Sequence, residues 1–151
     1  MTRQKVTPFL WFDSHAEEAA AFYTSLFPDS AVTKVTPGPT GAALTVEFTL
    51  GGVPFVALNG GPHFKLTEAF SLSIDCETQA EVDDLWAKLS AGGEPGRCGW
   101  LKDRYGLSWQ VVPGQVSRWL TDPATAGPVM QALMGMSKPD LAALRAAAGA
   151  A

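Results

Sequence analysis

The chain has 151 residues, 46% hydrophobic and 17% charged, with a formal net charge of −4. Such a chain can bury a core of its own and is not a disordered one. Its Lys and Arg are scattered, which argues against nucleic acid or an anionic membrane surface as partner. The start, MTRQKVTPFLW, holds no long apolar segment, and no run is long enough to span a bilayer. Cys76 and Cys98 form no CxxC pair and are too few for a disulfide scaffold, so a cytoplasmic protein with free thiols is expected.

Val6–Phe12 reads as a strand. Asp13 and Ser14 stand where an N-cap belongs, Glu17 and Glu18 suit the positive end of a helix, and Ala16–Phe27 is that helix, stopped by Pro28-Asp29-Ser30. Ala31–Thr36 is a strand. Leu44–Leu50 alternates, with Leu44, Val46, Phe48 and Leu50 on one face and Thr45, Glu47 and Thr49 on the other, as a half-buried strand does. Gly51-Gly52 turns it into a strand over Val53–Leu58. After the loop at Asn59-Gly60-Gly61-Pro62 come a strand at Phe70–Ile74 and a helix at Thr78–Leu89, with Thr78 and Glu81 in capping-box register. Trp100–Lys102 and Leu107–Val112 form a hairpin across Asp103-Arg104-Tyr105-Gly106, whose Asp103-Arg104 charge pair is expected in solvent. Helices over Val116–Leu120, Pro123–Met134 and Pro139–Ala148 complete the chain and pack across the sheet or against a second subunit.

The chain repeats itself. FLWFDSHAEEAAAFYTSL (Phe9 to Leu26) and FSLSIDCETQAEVDDLWAKL (Phe70 to Leu89) each run from an apolar strand through an Asp (Asp13, Asp75) at an N-cap position into an amphipathic helix, with Glu18, Phe22, Tyr23 and Leu26 against Glu81, Leu85, Trp86 and Leu89. Gly52 to Leu58 is echoed by Gly106 to Val112. Two strand–helix–strand–strand–strand copies follow, about 6–59 and about 69–113, with C-terminal helices at about 115–148.

The segments Phe9-Leu-Trp-Phe-Asp13, Glu17-Glu-Ala-Ala-Ala-Phe-Tyr23, Ala57-Leu-Asn-Gly-Gly61 and Cys98-Gly-Trp-Leu-Lys-Asp-Arg-Tyr-Gly-Leu-Ser-Trp-Gln-Val-Val-Pro113 carry a family resemblance. From Val6 to Ala146 the chain resembles the vicinal-oxygen-chelate superfamily (glyoxalase I, extradiol dioxygenases, bleomycin-resistance proteins). Within it the likeness is to the PhnB-like group labelled 3-demethylubiquinone-9 3-methyltransferase-like. The resemblance implies an α+β fold: a single domain of two βαβββ modules forming a cup-shaped mixed sheet, usually as a homodimer. It also implies a metal held by His or Glu from the first and last strands of each module. Carried over, those positions are Val6 or Pro8, Val56, Ala69 and Gln110; only Gln110 can coordinate, and weakly, so no metal is expected. The label implies S-adenosylmethionine, but the Gly pairs sit at hairpins and a helix end rather than in a Gly-rich strand–turn–helix loop, and no cofactor is expected.

The same alignment and strand alternation give the expected ligand-binding face: Thr45, Val56, Leu58, Ser71, Ser73, Ser108 and Gln110, with Thr49 and Val112 on it and Trp100 as a wall, while Trp109 goes into the core. Concave, mostly apolar sites with few polar groups suit a small organic molecule. Glu47 is the one carboxylate there and the candidate catalytic residue, since a carboxylate among apolar neighbours becomes a better base. His63, in a loop at the mouth, and His15, at a helix start, are read as exposed. Cys98 is read as a packed thiol, and Cys76 as one whose pKa a helix start could lower. The leading expectation is metal-independent binding of a small, partly apolar molecule. The alternatives are a lyase, isomerase or dioxygenase-like enzyme using Glu47 or a non-standard metal site, and the methyltransferase of the label.

Overall fold

A computed structural model describes residues 4–149, which divide into two compact units, one up to Leu66 and the other from Thr67 on. The first contains β1 (Phe9–Phe12), α1 (Ala16–Leu26), β2 (Ala31–Pro37), β3 (Ala43–Leu50) and β4 (Val53–Asn59). The second contains β5 (Ser71–Cys76), α2 (Gln79–Ser90), β6 (Glu94–Pro95), β7 (Trp100–Lys102) and β8 (Ser108–Pro113), then α3 (Gly114–Thr121), α4 (Ala126–Met134) and α5 (Leu141–Ala147). The fold is α+β, and the repeat read from the sequence is realised in the topology. The sheets have the orders β1-β4-β3-β2 and β5-β8-β7-β6, with one parallel pair each, β1 with β4 and β5 with β8.

In the first sheet the apolar half of each alternating strand faces α1, except that Leu44, near the start of β3 and expected in that set, is 42% exposed. Leu10, Phe12, Val46, Phe48, Phe55 and Ala57 are buried with Ala16, Ala19, Ala20 and Tyr23 of the helix. Phe48 stacks on Phe55 at 5.4 Å between centroids. β3 and β4 are joined by Gly51-Gly52, both at positive φ (55° and 81°), the geometry of a two-residue turn that matches strand twist. A bulge at Thr33 interrupts the pairing of β2 with β3.

The cap of α1 departs from expectation. His15, not Asp13 or Ser14, occupies the N-cap position, and no local side chain bonds a free amide. Instead Asn59, at the end of β4, accepts the Ala16 N–H through Oδ1 at 2.9 Å and donates through Nδ2 to the Ala43 carbonyl at 3.0 Å. The parallel pairing runs on past the strands: Gly60 and Gly61 donate to the Phe12 and Asp13 carbonyls. Gly60 lies so close to the Trp11 indole that a Cβ there has no room.

In the second unit Ile74, Cys76, Leu101, Trp109 and Val111 pack with Val82, Leu85 and Leu89 of α2. Asp75 is not an N-cap but an exposed residue inside β5; Thr78 caps α2, accepting the Glu81 N–H at 3.2 Å. Two-residue β6 carries no apolar alternation in the sequence and was not expected.

The C-terminal helices bury Val116, Val129, Leu133 and Leu144 together and are tied to their own unit. Cys98 and Gly99 donate to the Met136 and Ser137 carbonyls at 2.8 and 2.9 Å. The Gln79 side chain donates to the Pro139 carbonyl and accepts from Leu141 N–H at 2.7 Å, and Lys138 pairs with Asp83. No helix among the described residues is long and apolar enough to cross a membrane.

Candidate functional site

The face of the first sheet turned away from α1 carries two lateral rows. Phe9, Val56, Glu47 and Lys34 stand in register in one; Trp11, Leu58, Thr45 and Thr36 in the other. The first row opens into a pocket of about 400 Å³, lined by Thr45, Glu47 and Val56 together with Gln4, Thr7, Phe9, Thr33, Thr49 and Pro54, and edged by Phe48 and Phe55. That volume lies within the range of about 300–1,000 Å³ common for small-molecule sites. Strand alternation therefore brings Thr45, Glu47 and Val56 into one pocket. Leu58 shares their face but does not line it.

Glu47 is half-buried, flanked at two residues' spacing by Thr45 and Thr49. Among the described residues no ion pair or side-chain hydrogen bond reaches its carboxylate. Two hydroxyls around it are already committed as donors: Thr33 Oγ1 to the Glu47 carbonyl at 3.1 Å, and Thr49 Oγ1, more loosely, to the Ala31 carbonyl at 3.4 Å.

The remaining candidates share the corresponding face of the second sheet. Ser71, Ser108 and Lys102 form one row; Ser73, Gln110 and Trp100 the next. Here the polar groups answer one another. Gln110 Nε2 donates to Ser71 Oγ at 3.0 Å, and Lys102 is ion-paired with Glu68. Ser108 is 1% exposed, and its hydroxyl meets no partner among the described residues. Trp109 is buried beneath α2, as alternation predicts.

Three other expectations are settled by local geometry. Asp103 is 3% exposed rather than solvated: Oδ1 accepts from the Tyr105 and Leu107 N–H groups at 2.8 and 3.1 Å, and Oδ2 from the Trp109 indole at 2.8 Å. It organises the β7–β8 connection from inside. The signal available in the sequence was an Asp whose side chain can bond the amide two residues on, ahead of Gly106. Cys76 is not activated. Desolvation by burial, with the charges of Glu81 and Asp75 adding to it, pushes its thiol up to about 12, and the helix begins three residues later. His63 and His15 are exposed, with His15 Nδ1 at 3.4 Å from Glu18.

The donor chemistry does not fit a superfamily-type metal. Val56 and Gln110 hold the last-strand positions of the two modules, and among the described residues no group of three or more His, Cys, Asp or Glu side chains is disposed to hold an ion. It does not fit the familiar cofactor loop of a methyltransferase either. Gly51-Gly52 closes a hairpin, Gly60-Gly61 continues a strand pairing and Gly92-Gly93 follows α2, so no Gly-rich turn links a strand to a helix N-terminus.

The comparisons agree with this architecture. The model of the family described as 3-demethylubiquinone-9 3-methyltransferase matches residues 4–112. A PhnB protein from Bacillus cereus, described under the same methyltransferase heading, is 37% identical, with a TM-score of 0.65 over 71% of this chain and 97% of that one. Protein PA1353 from Pseudomonas aeruginosa is 19% identical, with a TM-score of 0.57 over 71% and 95%. The fosfomycin resistance protein FosX from Listeria monocytogenes, complexed with Mn(II) and sulfate, is 16% identical, with a TM-score of 0.52 over 72% and 90%. The last two share the fold only. No curated protein sequence matches the chain. With its family model, its paired βαβββ units and these neighbours, the chain belongs to the 3-demethylubiquinone-9 3-methyltransferase-like, PhnB-like family of the vicinal-oxygen-chelate superfamily.

Proposed function

We propose that this protein binds a small, partly apolar organic molecule in the pocket around Glu47, without the metal its superfamily uses. The observation that carries the reading is the pocket itself: about 400 Å³ over a wall of Phe9, Pro54 and Val56, with a few polar groups of Thr and Glu. A concave, mixed site of that size orients a ligand by its polar groups and gains affinity from its apolar ones. A second reading makes the protein an enzyme in which Glu47 removes a proton from the bound molecule; the carboxylate without an internal partner supports it. We further propose a cytoplasmic homodimer. Two free thiols fit that compartment, and exposed Val6 and Phe9 leave apolar surface for a second copy to cover; light scattering should then give twice 16.0 kDa.

The test is a thermal-shift screen of small organic molecules, with S-adenosylmethionine included, followed by mapping of hits through amide chemical shifts. A true ligand stabilises the fold by mass action, about 2.7 kcal/mol at a hundredfold excess over Kd. Shift changes should centre on Thr45, Glu47, Thr49 and Val56, and Thr45→Arg should abolish them. Hits that map elsewhere and survive Thr45→Arg overturn the pocket reading. Saturable binding of S-adenosylmethionine with methyl transfer would restore the activity in the family's description.

A further inference from the structure

We infer that the Glu47 pocket selects a ligand that presents an ammonium or other amine donor beside a small apolar body. This deepens the pocket reading above and rests on it. The reasoning is a count of hydrogen-bonding roles on the wall. Glu47, when ionised, only accepts. Thr33 and Thr49 have their hydroxyl protons directed to the Glu47 and Ala31 carbonyls, so their oxygens turn lone pairs outward. The bulge at Thr33 is what brings a third hydroxyl to the side of Glu47, since Thr33 and Lys34 both stand opposite that residue. Thr7 and Thr45 adapt as donor or acceptor, and Gln4 supplies an amide.

The wall is therefore biased toward acceptance, and among the described residues that line it the one charge is negative. Lys34, the cation nearest in register, makes no ion pair with Glu47 and does not line the pocket. Phe9, 61% exposed, lends an aromatic face, which also favours a cation. A donor-rich, positively charged group completes this wall, whereas a carboxylate or phosphate meets like charge and lone pairs. The strongest counter-candidate is Lys5, which lines a neighbouring hollow with Gln4, Thr7 and Phe9 and would draw an anion instead.

The experiment compares three probes of equal shape on the full chain, by amide-shift titration: benzylamine, benzyl alcohol and benzoate. Benzylamine should bind about tenfold more tightly than benzyl alcohol, because its ammonium brings a full positive charge to the carboxylate where the alcohol brings only a dipole. Benzoate should bind most weakly. In Glu47→Gln the amine's advantage should vanish, benzylamine losing more affinity than benzyl alcohol, and added salt should shrink the advantage in the native chain. Should Glu47→Gln fold poorly, the ordering of probes in the native chain decides alone. Equal binding of the three probes in the pocket, or a preference for benzoate, overturns the amine inference and leaves the pocket reading standing. Failure of all three to shift any pocket amide overturns both.

Discussion

The two sheets are built to one plan and use their polar faces differently. On the second sheet several polar side chains are answered by other protein groups: Gln110 by Ser71, Lys102 by Glu68, and Asp103, at the hairpin, by two amides and an indole. Ser108 is buried without a partner among the described residues, and Ser73 is exposed. On the first sheet Glu47 stands among threonines and apolar side chains with no such answer among the described residues. A carboxylate bonded by protein donors is structural, because its removal strands those donors in the interior. One that no protein donor reaches is open to a donor from outside. The same functional group thus does opposite work in the two halves, and the presence or absence of protein donors around it decides which.

The sharpest way to break that contrast is to delete each carboxylate in turn. Asp103→Ala should cost about 3–5 kcal/mol in urea unfolding, since the Leu107 amide and the Trp109 indole lose their acceptor in the interior and the Tyr105 amide loses its own. Glu47→Gln should change stability by less than about 0.5 kcal/mol, because no group among the described residues bonds its carboxylate. Similar costs at the two positions would mean that Glu47 has a structural partner and would remove the contrast.

A smaller effect separates the halves at their helix starts. The first amide of α1 is capped from outside, by Asn59 reaching back 43 positions from β4 and also holding β3. α2 caps itself through Thr78, with Glu81 accepting from the Glu77 amide. Asn59→Ala should therefore cost about 2 kcal/mol and Thr78→Ala about 1 kcal/mol, the upper end and the middle of the usual range for lost caps. Equal losses would show that the reach from β4 adds nothing to the local bond.

These positions also mark what the sequence can and cannot convey. Period-two alternation needs only neighbours along the chain, so it correctly put Glu47, Thr45 and Val56 on one face and Trp109 in the core. The long Cys98–Pro113 segment likewise carried the family. Asn59 escaped notice because its partner, Ala16, is remote in sequence, and Asp13 looked the better cap. Asp103 looked like a solvated turn residue: Asp-Arg-Tyr-Gly hints at the bond to the Tyr105 amide, but not at the Trp109 indole that closes over the same carboxylate. The helix repeat was aligned on Glu18 and Glu81, yet burial matches Tyr23 with Leu85 and leaves Phe22 and Trp86 both half-buried, a shift of one position. Charges on the wet side tolerate such a shift; core positions do not. Face and family were thus legible, and long-range polar bonds were not.

The ion pair of Lys102 with Glu68 offers the gentlest test, because Glu68 is exposed and Lys102 partly so, and such surface pairs contribute little. The hydrogen bond from Lys102 holds the Glu68 carboxyl below its ordinary range, and the same bond raises the Lys102 ammonium above its own. The signs follow from linkage. A lowered carboxyl stabilises the fold above its unfolded pKa, about 4.3, and that contribution is lost as pH falls through the still lower folded value. A raised ammonium stabilises below its unfolded pKa, about 10.4, and loses its contribution as pH rises through the higher folded value. The pair is therefore fully present between these limits. Glu68→Gln should lower the urea midpoint slightly at pH 7, and the difference from the native chain should close as the pH is brought down below the carboxylate range. A difference that persists in acid would mean that Glu68 acts by packing and not by charge, and that the second sheet's polar face is held together differently from the way its bonds suggest.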